Sequence, residues 1–114
     1  EILNIQNHKR NYLPLLLLAD EQEAMINRYL DRGELFALMD GLKTVCVVTQ
    51  EENRVFEIKN LATVPEAQNQ GYGKRMVEFI AAITEGAATG FWLAQATAAD
   101  NPFYENAVFR FLTG

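Results

Sequence analysis

The sequence predicts one α+β domain built around a mixed sheet, and three observations carry that prediction. Runs at 34–40, 42–50 and 54–64 are rich in β-branched or alternating apolar residues and are parted by short polar or glycine turns, the mark of an antiparallel meander. Met25, Ile26, Tyr29 and Leu30, and again Met76, Val77, Ile80 and Ile83, recur at helical spacing. A glycine-bearing junction at 64–75 joins the last strand-like run to the second of those helices.

Taken in order, residues 2–5 alternate weakly and read as a first strand. Residues 12–19 read as a short buried helix, with Asn11 near its cap and Pro14 in its first turn, where a missing N–H does no harm. Asp20 looks like the N-cap of a second helix at about 21–32. Glu23 would be its capping-box partner and Gly33 its left-handed C-terminal cap. The three-strand meander follows, with Gly41 and then residues 51–53 as its turns. A helix over 74–83 comes next, then a loop bracketed by Gly86 and Gly90, then a strand at 91–96. Asp100, Asn101 and Pro102 open a last short helix through about Val108, and 109–112 begin another strand. One chain of 114 residues forms a single core of this kind.

Composition removes several classes of function. A hydrophobic share of 49% and a net charge of −5 describe a globular protein without the basic stripe that nucleic acid requires. Cys46 stands alone in an apolar run, which fits a buried small hydrophobe in a reducing compartment. With His8 the only histidine, no zinc site of the usual kind is expected, and the absence of serine removes a serine triad. Residues 8–19 imitate a signal peptide, but Pro14 interrupts the apolar stretch and Asp20 and Glu21 end it. The expectation is a cytoplasmic protein with no membrane partner.

The junction holds the chemistry. Glycines between a strand and a helix leave backbone N–H groups bare at the positive end of the helix dipole, which is a seat for an anion, most often a phosphate. A Walker A loop is excluded by Gln68 at its first glycine position and Arg75 at its hydroxyl position. A dinucleotide fingerprint is excluded by Met76 at its third glycine. What remains is Gln68-x-x-Gly71-x-Gly73. It resembles the acetyl-CoA pyrophosphate loop of the GNAT superfamily of N-acetyltransferases, Gln/Arg-x-x-Gly-x-Gly/Ala. The run Leu61-Ala62-Thr63-Val64-Pro65 before it, Gly73-Lys74-Arg75 after it and the order of elements over 1–112 are similar as well.

The resemblance implies acetyl-CoA as co-substrate, an amine as acceptor and direct acetyl transfer between them. It implies that Gln68, Asn69, Gln70, Gly71, Tyr72, Gly73 and Lys74 cradle the pyrophosphate, with Lys74 and Arg75 either adding charge at the rim or forming an ordinary solvated helix start. Leu61, Ala62, Thr63 and Val64 would pair through their backbone with the pantetheine arm where the fourth strand splays from the fifth. Glu57 matches the spacing of the glutamate general base of histone-acetylating members, its alternative being a strand glutamate paired with Lys59. Tyr104 matches the tyrosine that donates to the leaving thiolate, its alternative being a core tyrosine.

Three departures bear on helix four: Val108 replaces a glycine, Thr97 an asparagine, and Pro102 falls inside the expected helix, which puts an Asn101 contact to CoA in doubt. Only a stub follows residue 109 where the family has two further strands, so the domain is expected to be incomplete at its C-terminus or completed by a second copy in a homodimer. A CoA-binding module without efficient catalysis stands as the alternative function. Glu21, Glu23 and Asp31 offer either attraction for a cationic amine or a solvated face.

Overall fold

A computed structural model describes residues 1–52 and 55–84 and, as backbone, 92–96 and 107–112. Six strands form one sheet: β1 (Ile2–Ile5), β2 (Glu34–Met39), β3 (Leu42–Glu52), β4 (Val55–Thr63), β5 (Trp92–Ala96) and β6 (Ala107–Leu112), in the order β1-β2-β3-β4-β6-β5. Every neighbouring pair is antiparallel. The helices are α1 (Leu13–Ala19), α2 (Glu23–Arg32) and α3 (Tyr72–Ile83), and none among the described residues is long and apolar enough to cross a membrane.

Strand alternation divides the core between two faces. Leu35, Ala37, Val45, Val47 and Ala62 pack under α1 and α2, against Leu15, Leu16, Ile26 and Leu30. Phe36, Leu38, Cys46, Val48, Ile58 and Leu61 pack under α3, against Met76 and Ile80. Cys46 is fully buried, and burial pushes its thiol pKa far above the ordinary value, as expected of a small core hydrophobe.

Several local expectations change. The N-cap of α2 is Gln22, two residues later than expected. Asp20 is occupied in the turn before it: Oδ1 accepts the Gln22 N–H at 3.0 Å and Oδ2 accepts the Tyr29 hydroxyl at 3.1 Å. The N-cap of α1 is Tyr12, because a 3-10 turn over Lys9–Tyr12 takes up Asn11. Gly33 is extended (φ −101°, ψ −179°) and not left-handed. Glycine is required there by close approach: a Cβ would lie 2.7 Å from the Tyr29 carbonyl oxygen and 2.9 Å from that of Val48. The C-terminus of α2 is capped instead by Lys9, whose ammonium donates to the Leu30 and Gly33 carbonyls at 3.2 and 2.7 Å.

Helix α3 starts at Tyr72, two residues early, and Met25 and Ile83 of the apolar stripes are 42% and 48% exposed. Ala107 and Val108 are strand residues, so no helix reaches Val108. Antiparallel β6 lies between β4 and β5, so β5 is not the direct neighbour of β4.

Candidate functional site

The junction between β4 and α3 is built from short-range bonds. The Val64 N–H donates to the Lys43 carbonyl at 2.9 Å, tying the end of β4 to the start of β3. A 3-10 turn over Pro65–Ala67 follows, anchored by buried Ala67, whose N–H donates to the Val64 carbonyl at 2.9 Å. Two side-chain amides then staple the loop: Gln68 Nε2 donates to the Thr63 carbonyl at 3.2 Å and Gln70 Nε2 to the Glu66 carbonyl at 3.1 Å. Asn69 (φ 63°) and Gly71 (φ 88°) both take left-handed backbone. Asparagine tolerates that region and glycine enters it without cost, so residue identity and geometry agree.

The consequence is a run of bare donors. The first N–H to bond back is that of Arg75, to the Gly71 carbonyl at 3.0 Å. Among the described residues, none of the N–H groups of 69–74 has a protein acceptor. A helix always leaves its first N–H groups free, and left-handed residues in a turn are the setting in which successive N–H groups can line an anion-attracting nest. A Cβ on Gly71 would meet nothing within 4 Å, so the space in front of it is open. Tyr72 sits between two cations, its ring centre 5.9 Å from Lys43 Nζ and 5.6 Å from the Arg75 guanidinium. Lys74 is exposed and 3.9 Å from Glu78, an ordinary surface pair.

The second feature is the edge of β4 leading into that nest. On one side β3 pairs with β4 from Val55 to Thr63, while on the other β6 covers only Val55 to Ile58. From Lys59 onward the second edge has no strand partner among the described residues, and this uncovered stretch between β4 and the start of β6 is the candidate slot. A bulge marks the same point: Val48 faces Ile58 and Val47 faces Asn60, leaving Lys59 as the extra residue. Leu61 and Ala62 are buried in the two faces of the core, so what they offer is backbone, while the Thr63 hydroxyl pairs with that of Thr44 at 3.0 Å and its carbonyl already accepts from Gln68. Val64 has its N–H and C=O engaged already and has less to give.

Upstream of the slot, Glu57 is buried and bonded to Lys59 Nζ at 2.8 Å. Lys59 also lies 3.8 Å from Glu51, which holds Arg32 of α2 at 2.9 Å and accepts the Thr49 hydroxyl at 2.6 Å. The Thr49 hydroxyl first, and then Arg32, hold the Glu51 carboxyl below the ordinary glutamate value. Tyr104 and Asn101 lie outside the described residues. Asp31 pairs with Arg10 at 3.3 Å, while Glu21 and Glu23 are exposed, in keeping with a solvated face.

Two residues of this region are not singled out by the sequence. Lys43 reaches Tyr72 only because Thr44 falls opposite Thr63, a register that no local pattern announces. Fully buried Asn60 bonds to the Leu16 carbonyl at 3.0 Å and the Tyr29 hydroxyl at 2.9 Å, fastening the bulge to α1 and α2. An amide side chain between Ile58 and Leu61 of a central strand is the signal that could have flagged it.

This geometry defines a class: domains whose sheet, antiparallel here and not mixed as expected, runs from its fourth strand through a glycine-bearing junction into the third helix, in line with a partly uncovered strand edge. The family described as "Acetyltransferase (GNAT) domain" matches residues 31–110, and the chain belongs to that family. It is 37% identical over 65 residues to the "Uncharacterized N-acetyltransferase YvbK" of Bacillus subtilis (strain 168). That match takes in 55% of this chain and 42% of the relative, so the chain spans less than half of the relative's length.

The fold is shared with three solved structures. An IAA acetyltransferase from Bacillus cereus ATCC 14579 matches with a TM-score of 0.73 and 17% identity over 99% of this chain and 97% of that one. A Bacillus subtilis acetyltransferase in complex with CoA gives 0.72 and 22% over 100% and 98%. A GNAT family acetyltransferase from Elizabethkingia anophelis with acetyl-CoA bound gives 0.70 and 20% over 98% and 94%.

Proposed function

We propose that the protein is an acetyltransferase that moves an acetyl group from acetyl-CoA directly to a primary amine. One observation carries this reading: among the described residues, the bare N–H groups of 69–74 follow the stretch of β4 that β6 does not cover. A diphosphate with an extended amide-bearing arm fits that combination, the diphosphate on the nest and the arm alongside Leu61, Ala62 and Thr63 as an added strand. Charge-assisted bonds from backbone N–H groups are worth about 1.5–3 kcal/mol each, enough for the nest to anchor the donor. Two of the solved proteins that share the fold hold acetyl-CoA or CoA, which supports the same choice of donor.

In the reaction the amine nitrogen attacks the thioester carbonyl, the new C–N bond forms, and the C–S bond breaks to release CoA thiolate. An alkyl ammonium with pKa near ~10.4 has only about one molecule in ~2,500 free at pH 7, so loss of a proton must precede attack. Glu57 is assigned to accept it, and its burial at the mouth of the slot suits a base shielded from bulk water. Tyr104 is assigned to donate a hydrogen bond to the departing thiolate. Full transfer from tyrosine (pKa ~10) to a thiolate (~8.5) is uphill by about 2 kcal/mol in water, so stabilisation of developing charge is its main contribution.

Calorimetry with acetyl-CoA and a thiol-release assay over a panel of primary amines test the proposal. Binding together with amine-dependent thiol release is the expected result. Absence of binding at millimolar acetyl-CoA would overturn it, and binding without amine-dependent release would leave a CoA-binding module in its place. Tyr104→Phe should lower turnover and leave acetyl-CoA affinity nearly unchanged.

A further inference from the structure

Two cations meet on one aromatic ring beside the anion nest. Lys43 Nζ lies 5.9 Å from the centre of the Tyr72 ring and the Arg75 guanidinium 5.6 Å from it. Among the described residues, Arg10, Arg32, Lys59 and Lys74 each have a carboxylate partner, whereas Lys43 and Arg75 have none. The chain carries 15 acidic and 10 basic residues, so a cation left without a carboxylate is not short of candidates. What gathers the two is the ring, whose negative face attracts cations but carries no net charge to neutralise them. Two like charges held at one place attract an anion more strongly than either does alone.

Lys43 is brought there by the backbone. It is the second residue of β3, its carbonyl accepts the Val64 N–H at 2.9 Å, and Thr44 beside it faces Thr63 with their hydroxyls 3.0 Å apart. The residue is therefore anchored where β4 passes into the junction. Arg75 arrives from the first turn of α3. Tyr72 joins the two sets of donors: its own N–H is one of the bare groups of 69–74, and its ring carries the cations.

We propose that Lys43 and Arg75, gathered on Tyr72, form a second anion subsite that takes a phosphate monoester carried by the same ligand as the diphosphate. The proposal rests on the reading of the nest as the diphosphate seat of a CoA donor, and it assigns the ribose 3′-phosphate of CoA to Lys43 and Arg75. Charge decides between the two kinds of phosphate. Backbone N–H groups at a helix start seat a diphosphate without any side-chain charge. A phosphate monoester carries about 1.5–2 negative charges at pH 7, and two full positive charges match it.

Titration calorimetry with CoA and with 3′-dephospho-CoA tests the proposal, on the parent and on Lys43→Met, Arg75→Met and Lys43→Arg, with the Tm of each protein recorded. The parent should bind CoA about tenfold more tightly than 3′-dephospho-CoA, the value of one charge-assisted contact at a site open to solvent. Lys43→Met and Arg75→Met should each weaken CoA by about three- to tenfold and leave 3′-dephospho-CoA within about twofold, which brings the two ligands together. Lys43→Arg should keep most of the preference. A parent that binds both ligands equally overturns the proposal and leaves the diphosphate seat standing, whatever the variants do. Equal weakening of both ligands by Lys43→Met also overturns it, since the cations would then serve the diphosphate. If neither ligand binds the parent, the seat and this subsite fall together.

Discussion

Replacing Gly71 by alanine separates the two demands made on that position. Its φ of 88° costs an L-residue about 1–2 kcal/mol. A stiffer unfolded chain returns about 0.4–1 kcal/mol of that. With no atom within 4 Å of the new Cβ, no steric cost within the protein is added. The net loss is about 1 kcal/mol, or about 5 °C in Tm for a chain of this size. Binding suffers more. The methyl group enters the open space beside Gly71, where the proposed function seats the diphosphate, and losing one charge-assisted bond is worth about 1.5–3 kcal/mol, a rise of about 10- to 100-fold in the Kd for acetyl-CoA.

Gly41→Ala is the matched control. Gly41 also has positive φ (55°) and also meets nothing within 4 Å, but it sits in the β2–β3 hairpin. The two variants should lose similar Tm by calorimetric scanning, and only Gly71→Ala should lose affinity by titration calorimetry. A Gly71→Ala protein that binds acetyl-CoA within twofold of the parent would refute the assignment of the nest.

Other substitutions probe the frame. Gly33→Ala forces a Cβ against two backbone carbonyls at 2.7 and 2.9 Å, so α2 must shift from β3. Overpacking of this kind costs about 2–3 kcal/mol, and its Tm should fall further than that of Gly71→Ala despite an unstrained φ. Thr49→Val removes the hydroxyl that does most to hold the Glu51 carboxyl below the ordinary glutamate value. A carboxyl depressed on folding stabilises above its unfolded pKa and loses that contribution as pH falls through the folded value. The variant should therefore melt below the parent at pH 7, and the gap should close below about pH 4. Cys46, fully buried with its thiol pKa pushed up, should react with an aromatic disulfide reagent at a negligible rate in the native protein and at once in denaturant.

What was legible in the sequence follows from the range of the interactions involved. The meander, the three helices and the loop are specified by patterns within about a dozen residues, and all reappear with ends moved by one or two positions. The caps moved because competition decided them: Asp20 satisfies Gln22 and Tyr29 before it can cap, and Lys9 reaches across from another element to close α2. Gly33 is the clearest misreading, since a helix-ending glycine can serve either backbone freedom or close approach, and the sequence does not distinguish them. At the site, the positive φ of Gly71 and the bare donors follow from local spacing and were foreseeable. The insertion of β6 beside β4, the bulge at Lys59 and the approach of Lys43 to Tyr72 depend on strand order and register, which are set by long-range pairing.

The central claim is that the loop and the open edge of β4 together hold acetyl-CoA. Titrating CoA into the 15N-labelled protein and following backbone amides tests it most directly. Binding should shift the amides of 69–74 and of 59–63 together with one Kd, while those of β1 and β2 stay fixed. Saturable binding that leaves both stretches unperturbed, or shifts confined to other elements, would contradict it.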